Sequence, residues 1–111
     1  MGALLESVKK AQQLVQTKTA EVQKELNETE FEGFSSDETV RAVFNGNQKP
    51  LKVDITEEGY SQGVEKLELL LQEAMLEAHE KSVEGMKERM QGLARELGLP
   101  NMPGGGAPGG M

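Results

Sequence analysis

Hydrophobic residues near the start of the chain recur at the spacing of an α-helix. Residues 3–27 contain no Pro or Gly and are rich in Glu, Gln, Lys, Leu and Ala, which are good helix formers. The apolar positions follow one narrow line, made of Leu4, Val8, Ala11, Val15 and Val22. Such a line predicts a long helix that packs along one seam and leaves most of its surface in water.

The pattern then changes to the two-residue alternation that is typical of β-strands. The segment EFEGF at 30–34 predicts a short strand, with Gly33 where another element packs closely. After the turn residues 35–37, the segment TVRAVF at 39–44 predicts a second strand. Its apolar face consists of Val40, Ala42 and Phe44.

A hairpin follows the second strand. Asn45 and Gly46 supply the positive φ angles that a tight turn needs, and KPLKVDI at 49–55 predicts the return strand. Pro50 places this strand at a sheet edge. The three strands predict an antiparallel sheet with one apolar face, which needs a helix or a second sheet against it.

A second long helix is predicted from about Val64 to Leu97, after the polar link TEEGYSQG at 56–63. Its apolar face is wide at first and narrow later, and it consists of Leu67, Leu70, Leu71, Ala74, Met75 and Ala78, followed by Met86, Met90, Leu93 and Leu97. The Gly/Pro-rich tail at 98–111 is predicted to be disordered, which leaves a single domain over 1–97.

Small residues recur at heptad spacing in the second helix, at Ala78, Gly85 and Gly92. A glycine inside a helix costs about 1 kcal/mol relative to alanine. Two explanations therefore remain open. Either the backbone of another element comes close to these positions, or the glycines are tolerated because this part of the helix is exposed.

Composition adds constraints on the core and on partners. The 111 residues include three Phe, one Tyr, no Trp and no Cys, which excludes disulfides and thiolate chemistry. A thin aliphatic core favours association with a second chain. The net charge is −7, with the acid concentrated in residues 28–58 and in the second helix, whereas residues 1–27 carry four Lys and three Glu.

The sequence contains no pattern of catalytic residues. The single histidine, His79, has no second His with which to build a metal site, and it is interpreted as a solvated residue on a helix face. No P-loop, GxGxxG or nucleophile elbow is present. We therefore expect a protein without catalytic activity, metal, cofactor or small-molecule substrate. No segment is apolar enough for a signal peptide or a membrane span.

Basic side chains on the two helices are candidates for phosphate contacts. From charge alone, a solvated face with ion pairs one turn apart is the better explanation. No aromatic residues interleave with these bases, so stacking on single-stranded bases is not expected. The basic residues are Lys9, Lys10, Lys18, Lys24, Lys81, Lys87, Arg89 and Arg95.

The order of the segments resembles that of the YbaB/EbfC family of nucleoid-associated proteins. TVRAVFNGNQKPLKVDIT at 39–56 looks like the central signature of the family, and residues 69–100 look like its C-terminal helix. VKKAQQLVQ and VQKELNETEFEG resemble its first helix and first strand. HEKS followed by MKERM, together with GNQKP in the turn, are closer to the cyanobacterial and chloroplast branch. Residues 35–39 depart from the family, in which many members have Gly-rich residues at this turn.

The resemblance implies an α+β protomer of the order α-β-β-β-α, with a three-stranded antiparallel sheet between two long helices, and a tweezer-like homodimer. It also implies weak, salt-dependent binding of double-stranded DNA. We assign the DNA contacts to Lys9, Lys10, Lys18, Lys24, Lys87 and Arg89. We assign the dimer interface to Val40, Phe44, Leu67, Leu71, Ala74 and Ala78.

The acidic net charge keeps an alternative function open. Members of the chloroplast branch resemble factors for thylakoid biogenesis, so the chain could be a stromal adaptor that contacts ribosome or membrane-insertase proteins. Met75, Met86 and Met90 would then recognise a basic segment or a helix, or they serve ordinary dimer packing. The expected location is the chloroplast stroma or nucleoid for a plastid protein, and otherwise the bacterial cytoplasm or nucleoid.

Overall fold

The computed structural model describes residues 2–98, so the stretch from residue 99 onward, which belongs to the tail predicted to be disordered, lies outside the described residues. The element order is α-β-β-β-α with one additional helical turn, which confirms the predicted α+β class. The elements are α1 (Gly2–Glu28), β1 (Glu30–Phe34), β2 (Val40–Asn45), β3 (Pro50–Ile55), α2 (Glu57–Tyr60) and α3 (Val64–Glu96).

The chain forms two compact units. We call Leu26–Met86 the sheet unit, because it contains all three strands. The second unit combines Met1–Glu25 with Lys87–Met111, and we call it the helical unit; its described residues are 2–25 and 87–98. The single domain predicted over 1–97 stays a prediction.

The sheet is antiparallel, with the strand order β1-β2-β3. Ala42 of β2 pairs with Gly33 of β1 and with Val53 of β3, so these three residues lie side by side on one face. β3 is an edge strand, as Pro50 predicted. The strict alternation predicted for β2 is wrong, because Val43 and every other β2 residue except Arg41 is buried, so both faces of this strand are covered.

The start of α3 packs on one face of the sheet and forms the core of the sheet unit. The side chains in this core are Val40, Ala42, Phe44, Leu70, Ala74 and Ala78, with Leu67 and Leu71 packed against them. Gly33 is the point of closest approach: a Cβ built there would lie 2.2 Å from the backbone nitrogen of Ala78 and 2.3 Å from the carbonyl oxygen of Ala74. The close packing predicted for Gly33 is therefore present, and a side chain is excluded at this position.

The two glycines of the heptad pattern have different explanations. A Cβ at Gly85 would lie 2.3 Å from the ring of Phe31, so a neighbouring element does come close there. A Cβ at Gly92 would meet the guanidinium ends of Arg89 and Arg95, at 3.4 and 4.0 Å. Gly92 is thus a tolerated glycine, whereas Gly85 makes room for an aromatic ring.

The hairpin turn differs from the predicted one. Neither Asn45 nor Gly46 has a positive φ; Gln48 has one, at 65°. The Asn45 side-chain oxygen accepts the N–H groups of Asn47 (2.9 Å) and Lys49 (3.1 Å), which closes the loop locally. Gly46 is needed for another reason, because a Cβ there would lie 2.7 Å from the Leu26 carbonyl oxygen.

The turn between β1 and β2 is organised by Asp37. One carboxylate oxygen accepts the hydroxyl groups of Ser35 (2.8 Å) and Thr39 (2.7 Å), and the other accepts the side-chain amide of Gln62 (2.9 Å). These bonds, that from Gln62 above all, hold the pKa of Asp37 well below its usual range. Glu38 takes a positive φ of 64° in this turn, a backbone conformation that glycine adopts at no steric cost.

The polar link predicted at 56–63 contains the short helix α2, which the pattern did not predict. Thr56 caps the single turn α2, since its hydroxyl oxygen accepts the Gly59 N–H at 3.1 Å. The same hydroxyl donates to the carbonyl oxygen of Thr39 at 2.8 Å. Glu57 and Glu58 occupy the first turn of this short helix, where carboxylates are favourable.

Replacing Gly33 with Ala should destabilise the fold. The added methyl group overlaps the α3 backbone, which cannot move aside as a flexible side chain could, so we expect the free energy of unfolding to fall by about 1–3 kcal/mol or more. Gly92→Ala is the matched control, because it gains helix propensity of up to about 1 kcal/mol without a backbone clash. Urea unfolding checks both variants, and equal stability of the two would contradict the close approach.

Replacing Asp37 with Asn should make the stability of the fold less sensitive to low pH. The folded-state pKa of Asp37 lies below the unfolded value of about 4. Its carboxylate therefore stabilises the fold above that value, and this contribution is lost as the pH falls through the folded-state pKa. Below about pH 4, the melting temperature of the wild type should fall more steeply than that of D37N. Melting curves followed by circular dichroism measure this, with Glu38→Gln as the control for charge alone.

Candidate nucleic-acid interface

Charge is divided unequally between the two units. The sheet unit carries five Lys or Arg against fourteen Asp or Glu, a net charge of −9. The helical unit carries seven Lys or Arg against five Glu, a net charge of +2. The fold thus separates a basic part from an acidic part. All six predicted DNA-contacting residues fall in the helical unit: Lys9, Lys10, Lys18, Lys24, Lys87 and Arg89.

Lys9, Lys10 and Lys24 share one side of α1. At 3.6 residues per turn they fall within an arc of about 100°, opposite the apolar seam of the helix. All three are exposed, and none is in an ion pair among residues 2–98. Lys10 and Lys24 are separated by about 21 Å along the axis. This side of α1 can therefore approach a polyanion with its cations unengaged, although Glu6 lies on the same side.

Lys18 is less available than the other α1 lysines. It lies close to the line of the apolar seam, and the residue is half-buried. Its Nζ is 3.8 Å from an oxygen of Glu21, one turn further along the helix. An exposed pair of this kind contributes little to stability, but it offsets part of the Lys18 charge.

Arg89 is engaged inside the helical unit. Its Nε donates to the Glu25 carboxylate at 2.6 Å, and one Nη donates to the Glu96 carboxylate at 3.1 Å. The hydrogen bond to Glu25 is the main reason why the pKa of Arg89 is raised further above its usual value. Arg89 therefore links α3 to α1 within this unit, and phosphate would have to displace two carboxylates to reach it.

Arg95 is a candidate that the predicted DNA-contacting set missed. Lys87 and Arg95 are both exposed, they lie about two turns apart on one side of α3, and neither is in an ion pair among the described residues. Arg89 points to a different side of the helix. Spacing along α3 was the signal that would have favoured Arg95 over Arg89.

All six residues assigned to the dimer interface lie in the sheet unit, and four of them are buried there. Val40, Phe44, Ala74 and Ala78 are buried in the chain's own core, and Leu67 and Leu71 pack against them. Next to this core, the edge strand leaves an apolar surface open. It consists of Leu51, Val53 and Ile55 of β3, each about 40 % exposed. We call it the edge surface.

Within residues 2–98, no helix is long and apolar enough to cross a bilayer. The same residues hold no group of three or more His, Cys, Asp or Glu that could bind a metal ion. His79 is exposed, and its ring lies nearly perpendicular to the ring of Phe44, with 6.0 Å between the two centroids.

Taken together, the fold is that of an α+β protein in which a small antiparallel sheet is joined to long helices and the basic side chains are gathered on the helical part. The chain belongs to the YbaB/EbfC DNA-binding family, whose profile matches residues 1–97. The resemblance seen in the sequence is thereby confirmed.

Its relatives include proteins of chloroplasts and of cyanobacteria, as the sequence features predicted. It is 50 % identical over 100 residues to the chloroplastic nucleoid-associated protein At4g30620 of Arabidopsis thaliana, and 49 % identical to At2g24020 of the same plant. The matches cover 90 % of this chain but 56 % and 55 % of those two proteins, so the chain spans little more than half their length. The nucleoid-associated protein Synpcc7942_0464 of Synechococcus elongatus is 40 % identical, with 92 % of this chain and 89 % of that protein covered.

A solved structure supports the fold independently. The crystal structure of the uncharacterized protein HP0035 from Helicobacter pylori matches with a TM-score of 0.57 and 18 % sequence identity. The match covers 78 % of this chain and 94 % of that one. At this identity the likeness concerns the arrangement of helices and strands alone.

Proposed function

We propose that the chain is a non-catalytic, nucleoid-associated protein that binds double-stranded DNA as a homodimer. The observation that carries this proposal is the separation of charge: the helical unit is basic at +2 although the chain as a whole is at −7. A phosphate backbone responds to the charge that it meets locally, so the chain total is a poor guide to DNA binding.

Screening supports local binding. Exposed charges are screened over about 8 Å at physiological ionic strength. A phosphate that lies next to Lys9 and Lys10 therefore responds mainly to the charges of the helical unit around it, where cations are in excess.

Phosphate contact is the mode of binding that these side chains allow. The cations that are in no ion pair are flexible side chains on helix surfaces, and by contacting phosphates they do not distinguish one base sequence from another. In the described part of the helical unit they are Lys9, Lys10, Lys24, Lys87 and Arg95. We expect weak binding with little sequence preference. For each phosphate contact, the binding constant should fall by about 0.9 logarithmic units when the salt concentration rises tenfold.

The edge surface is the basis for the proposed homodimer. Val53 and Ile55 pair with Ala42 and Val40, so they lie on the sheet face whose β2 part is buried in the core. At the opposite edge, the Glu77 carboxylate already accepts the Phe34 N–H of β1 at 2.8 Å. A partly exposed apolar face on an edge strand is a natural association surface, and a second copy would bury it.

The names of the relatives support a location in a nucleoid of a chloroplast or a bacterium. The adaptor function remains the second candidate, because the net charge of −9 on the sheet unit favours basic protein partners over DNA for that part of the molecule. Ribosome and membrane-insertase proteins are the partners proposed for this alternative. Neutralising the α1 lysines separates the two functions, since the adaptor does not need them.

Replacing Lys9, Lys10 and Lys24 with Gln should abolish most DNA binding. The triple variant loses three phosphate contacts per chain, so we expect a loss of at least about ten-fold in affinity at moderate salt and a shallower salt dependence. Fluorescence anisotropy of a labelled duplex at several salt concentrations measures both quantities.

The matched control is Lys49→Gln with Lys52→Gln, which removes two exposed cations from the sheet unit. It should leave the affinity and the salt dependence within experimental error of the wild type. If this control weakened binding as much as the α1 variant, or if the wild type did not bind at low salt, the DNA proposal would be wrong.

Replacing Val53 and Ile55 with Lys should convert a dimer into a monomer. Two charges on the edge surface would have to be buried by the second copy, which is costly without partners. Light scattering at micromolar concentration should give twice the chain mass for the wild type and the single chain mass for the variant. Leu14→Lys, at a comparably exposed position in the helical unit, is the control that should keep the wild-type mass. A wild type of single chain mass would refute the dimer.

A further inference from the structure

α3 carries a second apolar line on the side opposite the sheet. Residues of this line follow one another at intervals of seven, which keeps them on one side of a helix with a slow drift. We call it the outer stripe, and it consists of Leu69, Leu76, Val83, Met90 and Leu97. The sheet-facing core residues Leu70, Ala74 and Ala78 lie on the other side of α3.

The burial of α3 on this side changes along the helix. Leu69 and Leu76 are 55 % and 60 % exposed, whereas Met90 is 38 % exposed and both Val83 and Leu97 are half-buried. Within the helical unit, the end of α3 is held to α1 by the bond from Arg89 to Glu25. The far part of α3 is therefore joined to a neighbouring helix and its stripe residues are less exposed, whereas the first two leucines of the outer stripe are uncovered.

The surroundings of these two leucines are acidic. Between residues 64 and 80 there are five Glu and one Lys. Glu73 and Glu77 are used by the chain itself, since they accept the N–H groups of Ser36 and Phe34. Three of the others are exposed and take part in no ion pair of the described residues: Glu65, Glu68 and Glu80.

We propose that Leu69 and Leu76, with Glu65 and Glu80 beside them, form a docking surface for a basic amphipathic helix of a partner protein. The leucines stand two helical turns apart, about 10 Å, which matches the apolar positions i and i+7 of an incoming helix. Basic side chains beside the apolar line of that helix meet Glu65 and Glu80.

This surface is separate from the two surfaces of the proposed function. The DNA-contacting cations lie in the helical unit, and the edge surface consists of β3 residues. The docking surface would give the adaptor alternative a concrete binding site, but it does not depend on DNA binding.

A peptide-binding experiment tests the proposal. The probe is a fluorescein-labelled synthetic peptide of Leu and Lys with its leucines along one helical side, and its control has the same composition with the leucines spread around the helix. The full chain should bind the amphipathic peptide at least about ten-fold more tightly than the control peptide, because only the former presents apolar side chains to both leucines at once. Equal affinities would overturn the proposal, since charge alone would then explain the binding.

Variants locate the surface. The double substitution Leu69→Ser with Leu76→Ser should weaken binding of the amphipathic peptide at least about ten-fold. The matched control is Leu4→Ser with Leu5→Ser, which changes two leucines of similar exposure in the helical unit and should bind within about two-fold of wild type. The double substitution Glu65→Gln with Glu80→Gln should also weaken binding of this peptide, and the loss of affinity should be larger at low salt than at high salt. Unchanged binding by the Leu69/Leu76 variant would overturn the proposal.

Two further readouts on the same Leu69/Leu76 variant separate the possible failures. Its mass by light scattering should equal that of the wild type; a halved mass would show that a second copy covers these leucines and would overturn the partner proposal. Its affinity for duplex DNA should also be unchanged, so a failure of peptide binding and a failure of DNA binding are read independently.

Discussion

The close contact between Gly33 and α3 is the constraint on which the sheet unit depends. The backbone of β1 touches that of α3 at Ala74 and Ala78, with no room for a side chain. This contact places α3 over β1 and β2, and the buried cluster of Val40, Ala42 and Phe44 follows from it. β3 is left at the edge with its apolar side chains partly exposed. One glycine thus fixes both the core and the surface that is open to a second copy.

The separation of charge has a comparable effect on function. Fourteen of the nineteen acidic residues lie in Leu26–Met86, and several of them stabilise the sheet unit. Asp37 organises the turn between β1 and β2, Glu73 accepts the N–H of Ser36 in the same turn, and Glu77 accepts the N–H of Phe34 in β1. The helical unit is left with an excess of cations. An acidic protein can in this way offer a basic surface, because screening limits each exposed charge to its neighbourhood.

Much of the fold could be predicted from periodicity, and the misses have physical reasons. The change from helical to alternating spacing located all three strands within one residue at each end, and the absence of Pro and Gly located α1. The sequence could not reveal that Gly46 packs against the backbone of Leu26, because this contact depends on where the C-terminal end of α1 lies in the fold. Nor could it show which strand α3 leaves uncovered. For the candidate site, composition identified the cations, but the engagement of Arg89 by two carboxylates required the structure.

DNA binding by the helical unit is tested most directly by an NMR titration of the isotope-labelled chain with a short DNA duplex at low salt. If this unit binds DNA, amide shifts on binding are confined to residues 2–25 and 87–98 and are largest near Lys9, Lys10 and Lys24. Shifts centred on Lys49 and Lys52 in the sheet unit, or the absence of any shift, would contradict it.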